Sequence, residues 1–258
     1  GGVIIQKTKK WAGEQGRTVI ACPVCWDITE ATVEKVNEDR TLIVPVVGAA
    51  VYAGTRFTHE SVCVGCGVRV REDALPPLLD EGDVDLGEAA ERLRPELYDR
   101  FIARAQEEQR VLDGMAGPVI RQRVLAVRLG ELEHSLAWYQ HIGSDKVAML
   151  PIFFVAFFVG VAGFLAYMWT GALWLMILMI VAIIGAGVGV IRYRVHQIQR
   201  KHEHLDPHRL AARSLAPFNP EQYELHKACR QAKREGAELA GLKPQKIAEH
   251  LGALYRTM

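Results

Sequence analysis

Charge is missing from one long stretch of this chain. Residues 147–191 contain no Asp, Glu, Lys, Arg or His, although charged residues make up 24% of the 258. With 50% of the chain hydrophobic, that stretch excludes intrinsic disorder. It also leads to the expectation that the protein is not wholly soluble. Net charge is nearly absent too, at +1 from 31 basic and 30 acidic side chains. The basic footprint of a nucleic-acid binder is therefore lacking, and no nucleic-acid partner is expected. No nucleophile–base pattern, glycine-rich phosphate loop or pair of catalytic carboxylates is present, so an enzyme is not expected either. The run Gly185-x-Gly187-x-Gly189 lies inside the uncharged stretch, where a nucleotide loop has no strand or helix start to sit on.

A helix needs roughly 20 apolar residues to cross a bilayer core. The uncharged stretch therefore predicts two transmembrane helices, over 149–169 and 172–192, turning at Thr170-Gly171 with Trp169 and Trp174 at the interface. Lys146 flanks one end, and Arg192, Arg194, Arg200 and Lys201 flank the other. Basic flanks favour the inner side of a membrane. The expectation is an integral protein of an inner or cytoplasmic membrane with both termini cytoplasmic, or of an organelle inner membrane with both termini in matrix or stroma. The same basic residues would contact anionic lipid headgroups. Ala156/Gly160, Ala182/Ala186 and Gly185/Gly189 have the small-residue spacing that lets membrane helices pack closely.

Four of the five cysteines form two pairs, Cys22-Pro-Val-Cys25 and Cys63-Val-Gly-Cys66, separated by residues 26–62. On the reducing side of a membrane, such pairs read as metal ligands and not as disulfides. Each short loop sets two thiolates on one side, and two loops complete a closed tetrahedral site. Strands are predicted at 18–21, 32–36, 41–44, 56–62 and 68–71, with Asn37-Glu-Asp-Arg40 as a turn. Over residues 16–71 the chain resembles the zinc-ribbon fold group, which implies a structural Zn²⁺ held by Cys22, Cys25, Cys63 and Cys66 on a small β fold. The interval between the pairs is long for a tight ribbon and predicts a larger hairpin or loop around 47–54. Iron in a rubredoxin-like site is an alternative that Cys66-Gly67 favours and Trp26, after the first pair, disfavours. A redox-active dithiol and His59 as a substitute ligand also remain open. Cys229, alone in a helical pattern, reads as a small buried apolar residue.

Around these segments, residues 1–15 read as an N-terminal extension, 72–94 as an acidic linker, 95–145 as a helical pair and 193–258 as a basic helical region. A helix over Pro95–Leu112 has Leu97, Phe101, Ile102, Ala105 and Leu112 on one face. A second, from Pro118 to about His141, carries Leu125, Leu129, Leu132, Leu136 and Tyr139 as a heptad seam. Asn219-Pro220-Glu221 predicts a helix start, with the end near 236–241, and Pro244–Tyr255 forms a last helix with Ile247, Leu251 and Leu254 on one face. The spacing His202-x-His204-x-x-x-His208, next to Asp206, admits a metal reading beside the simpler one of a basic surface.

The expected fold class is an α+β membrane protein: a small β zinc ribbon, helical segments, a two-helix transmembrane hairpin and a helical C-terminal tail. The expected function is a non-catalytic, zinc-stabilised accessory or scaffold subunit whose partners are other subunits of a membrane complex. Its charge is segregated, with 13 acidic and 5 basic groups in 72–113 against 7 acidic and 13 basic in 192–258. The alternatives are a membrane-tethered rubredoxin-like electron carrier and a membrane-anchored zinc-ribbon regulator.

Overall fold

A computed structural model describes residues 4–44, 49–80, 82, 85–145, 160–161, 165, 167–168 and 173–257. Four antiparallel strands form one sheet in the order β1 (Ile4–Cys22), β2 (Asp27–Val44), β3 (Ala49–Cys63) and β4 (Arg69–Glu72). The four strands follow each other in space as in sequence. β1 begins at Ile4, and its bulges between Trp11 and Gly16 include Gly13 at φ +79°, a conformation suited to an inserted residue without a Cβ.

Asn37–Arg40, predicted as a turn, instead continues β2. At Asp39 the turn-forming side chain finds partners on both neighbouring strands. The Asp39 carboxylate lies 3.4 Å from Lys10 Nζ on β1 and accepts a 2.5 Å hydrogen bond from Thr55 on β3. The long cysteine interval is thus spent on the long strands β2 and β3. Residues 45–48, within the predicted larger loop, lie outside the described residues.

Helix α1 (Leu86–Leu93) lies within the segment read as linker. Its N-cap Asp85 accepts from the N–H groups of Gly87 and Glu88, and its buried Ala89 and Ala90 pack in a small cluster with Val19 and Ile28. Helix α2 (Pro95–Leu112) starts and ends as its sequence predicts. Its buried positions, however, are Glu108 and Val111, while Ile102, Ala105 and Leu112 are exposed. On the buried side Glu108 meets Arg104 of the same helix and Arg128 of the next.

The predicted single helix after Pro118 is two, α3 (Pro118–Gly130) and α4 (Glu133–Asp145). The break falls at Glu131, whose carboxylate is clasped by both terminal nitrogens of Arg104 on α2. Leu125, Leu129, Leu132 and Leu136 of the seam are nonetheless all buried.

Helix α5 spans Leu173–Lys201, α6 Pro207–Leu215, α7 Gln222–Glu235 and α8 Pro244–Thr257. The start of α7 is two residues later than predicted. Glu221 caps it in a reciprocal box with Glu224, and Asn219 takes a left-handed φ of 44°. Ile247 and Leu251 of α8 are buried as expected.

Contacts divide the chain into two compact units, Gly1–Ala137 with His204–Met258, and Trp138–Glu203. The first holds the sheet and a core that includes Ile20, Val68, Leu125, Leu129, Leu215 and Leu225. In the second, the Trp138 ring meets the edge of His202 at a centroid separation of 5.9 Å.

Among the described residues no helix is long and apolar enough to cross a membrane. This finding corrects the expected α+β membrane fold with its transmembrane hairpin, and the integral-membrane location with it. Most of 149–169 lies outside the described residues. The stretch 172–192 falls largely within α5, which does not stop at its apolar end but runs on through Arg194, His196, Arg200 and Lys201. Composition marks where apolar residues are; a span needs one helix whose length and surface both match the bilayer. Arg192, Arg194, Arg200 and Lys201 are exposed on α5. What stands is a small antiparallel sheet combined with helices.

Candidate metal centre

Each cysteine pair straddles a tight turn. The first closes the β1–β2 hairpin, where Cys22 pairs with Asp27, and the second joins β3 to β4, where Val62 pairs with Arg69. Because Ala31 of β2 pairs with Cys63 of β3, the two turns arrive at the same end of the sheet. Both turns close alike: Trp26 N–H donates to the Cys22 carbonyl at 3.1 Å, and Gly67 N–H to the Cys63 carbonyl at 2.8 Å. The closing residues both have positive φ, 62° at Trp26 and 75° at Gly67.

The result brings the sulfurs of Cys22, Cys25, Cys63 and Cys66 within 4.8 Å of one another. Cys22 and Cys66 are 3.4 Å apart, and Cys25 and Cys63 3.8 Å. Sulfurs placed about 2.3 Å from a tetrahedral ion are separated by about 3.8 Å, so the cluster fits one metal ion. Cys25 N–H donates to Cys22 Sγ at 3.3 Å, and Thr29 Oγ1 lies 3.3 Å from Cys63 Sγ. Cys22, Cys63 and Cys66 are buried, and Cys25 is half-buried.

Hydrogen bonds from Cys22 and Cys66 hold the Cys63 thiol well below the usual range. Its bond to Cys63, with burial, pushes Cys22 up to about 12, and the same neighbours push Cys66 up. Crowded, buried thiols resist becoming several adjacent anions, and a bound cation would supply the positive charge that offsets this. The four close cysteines can hold a metal ion such as zinc or iron.

Parts of the chain far from the cysteines grip both turns. The Pro23 carbonyl, inside the first turn, accepts from Arg128 Nη1 on α3 and from Ser214 Oγ on α6, the latter at 2.8 Å. Arg128 is 3% exposed. Its Nε donates to Glu108 Oε1 at 2.6 Å, Nη2 reaches the other Glu108 oxygen, and the guanidinium lies 4.0 Å from the Trp26 ring centroid. Burial pulls Arg128 below the usual arginine range, and the Glu108 carboxylate opposes that shift. The other side of Trp26's environment is Phe218, at 5.0 Å between centroids. At the second turn, a Cβ on Gly67 would overlap Leu205, and Arg69 N–H donates to Ser135 Oγ of α4 at 2.8 Å.

All four predicted ligands thus come together. His59 does not join them; it lies on β3 opposite Glu72. Nor are His202, His204 and His208 gathered as a metal group among the described residues. His208 Nδ1 is 2.9 Å from Asp206 Oδ1, and its Nε2 accepts from Lys243 N–H at 3.3 Å. Cys229 is 2% exposed, and burial pushes its thiol up to about 11. Sequence reasoning missed Glu108, Arg128 and Ser214. The signal for Arg128 was present in its position between Leu125 and Leu129, a charged residue beside a buried seam.

No protein-family model, curated protein or solved structure matches the chain.

Proposed function

We propose that the protein is a non-catalytic scaffold subunit of a larger assembly, stabilised by one Zn²⁺ bound to Cys22, Cys25, Cys63 and Cys66. The observation that carries this reading is the way the first cysteine turn is held: Arg128 of α3 and Ser214 of α6 both end on the Pro23 carbonyl. A site of four protein sulfurs leaves no position for a substrate, which suits an ion that organises a fold. Zn²⁺ has no redox chemistry and no geometric demand beyond the tetrahedron the sulfurs already approach. The partners are other subunits, met through the acidic 72–113 and basic 192–258 segments.

Two measurements test it. Elemental analysis of the purified protein should give one zinc per chain and a colourless solution. Native size after gentle extraction from its source, with co-migrating proteins identified, should show an assembly of fixed stoichiometry. Stoichiometric iron with visible charge-transfer absorption would replace this reading by an electron carrier. A lone monomer containing zinc would retain the metal and remove the scaffold role.

A further inference from the structure

A cleft of about 610 Å³ lies between the sheet, the extended segment after β4 and helices α2 and α3. That volume is within the range of small-molecule sites. Part of its lining is apolar, from Leu75, Pro76, Leu97, Phe101 and Val127. Leu75 is 50% and Val127 45% exposed, so apolar surface remains open to solvent there. The rest is charged and unevenly paired. Arg94 is held by both oxygens of Glu72, at 2.9 and 2.8 Å, and Arg104 by both oxygens of Glu131. Among the described residues Arg71 has only Asp73, at 3.7 Å, and that carboxylate is fully exposed.

Arg100 is the exception. Its Nε donates to the Glu96 carbonyl one helical turn back, at 3.2 Å, which fixes the guanidinium against α2. Its terminal nitrogens meet no carboxylate among the described residues. The cleft therefore has one cation more than it has anions, within a chain segment that is otherwise strongly acidic. A planar guanidinium with free terminal N–H groups is built to take an oxyanion in a fork. Apolar surface beside it has nothing to gain from a bare inorganic ion.

We propose that this cleft binds an amphipathic organic anion, a carboxylate or phosphate monoester on an apolar body, with Arg100 taking the anionic head and Leu75, Leu97, Phe101 and Val127 covering the body. Arg71, whose partner Asp73 is fully exposed, is a further cation in the same lining. The site is separate from the cysteine centre and does not depend on the scaffold reading.

Titration calorimetry on the full chain tests it with octanoate and octyl phosphate as probes and with octylamine and inorganic phosphate as controls. Octanoate or octyl phosphate should bind saturably at one per chain, and whichever binds tighter identifies the head group. Both controls should bind at least about tenfold more weakly, octylamine because it loses the charged hydrogen-bonded contact and inorganic phosphate because it has no apolar body to bury. Arg100→Gln should weaken the tighter probe by about tenfold without altering the melting temperature, since this side chain is exposed. Val127→Asp, which adds a negative charge to the apolar lining, should weaken it as well. Absence of saturable binding by both probes, equal binding of octylamine, or unchanged affinity in either variant overturns the proposal.

Discussion

Arg128 lies over the indole of Trp26, 4.0 Å from the ring centroid, and at the same time reaches the Pro23 carbonyl three residues earlier. One buried cation thus holds the backbone of a cysteine turn and the side chain that closes it. Its charge is matched by Glu108 alone at the bidentate contact, and neither group has water to fall back on, at 3% and 5% exposure. Such a pair contributes more to defining a geometry than to net stability, because desolvation offsets most of the attraction. Breaking it is another matter.

Arg128→Met should therefore destabilise the protein by about 1.5–3 kcal/mol, because buried Glu108 loses its bidentate partner and keeps only the 2.9 Å hydrogen bond from Arg104 Nε. The double variant Glu108→Leu, Arg128→Met should recover most of that loss. Denaturant midpoints of the two single variants and the double variant measure the coupling. A double variant as unstable as Arg128→Met alone would show that the cost lies in the lost Pro23 contact and not in the under-paired carboxylate.

Cys22→Ser should bring the metal content close to zero, while Cys229→Ser should leave it at the wild-type value. The two cysteines are about equally buried, at 3% and 2% exposure, so burial cannot account for a difference between them. Elemental analysis after gel filtration reads the outcome. Wild-type metal content in Cys22→Ser would sink the four-cysteine site.

Gly67→Ala should destabilise the second turn on two counts. Its φ of +75° is costly for a residue with a Cβ, by about 1–3 kcal/mol, and the new methyl would overlap Leu205. Adding Leu205→Ala removes the overlap and not the backbone strain, so it should restore only part of the melting temperature. Full restoration would assign the whole effect to packing.

Glu60 supplies a pH test. Burial pushes its carboxyl upward, but hydrogen bonds with His134 and Trp11 and the charge of Arg69 outweigh it and hold the group below its ordinary value. A carboxyl depressed in the folded state stabilises the fold above its unfolded value, about 4.3. That contribution is lost as pH falls through the lower folded value. Urea melts at pH 5 and pH 3 should show a larger loss for the wild type than for Glu60→Gln. Acid release of metal is common to both proteins, so the difference between them isolates Glu60. Equal losses would mean that Glu60 does not titrate in this window.

Local chemistry was legible in the sequence. Two thiols separated by two residues mark a turn that can hold a metal, and Pro95, Pro118 and Pro244 open helices at the positions where the structure begins them. The alternation of Leu125, Leu129, Leu132 and Leu136 marked buried positions even across a break that the spacing did not reveal. These features depend on residues within a turn or two of each other, whose spacing the chain itself sets. What the tertiary structure decided depends on partners far away. Asn37–Arg40 reads as a turn until Lys10 and Thr55 stand on either side of it. Glu108 reads as a solvated charge until Arg128 and Arg104 face it, and the uncharged stretch reads as two spans until helix α5 runs past its end. Asp39 and the bidentate contact of Glu108 are satisfied by groups on another strand or helix, which only the fold brings near.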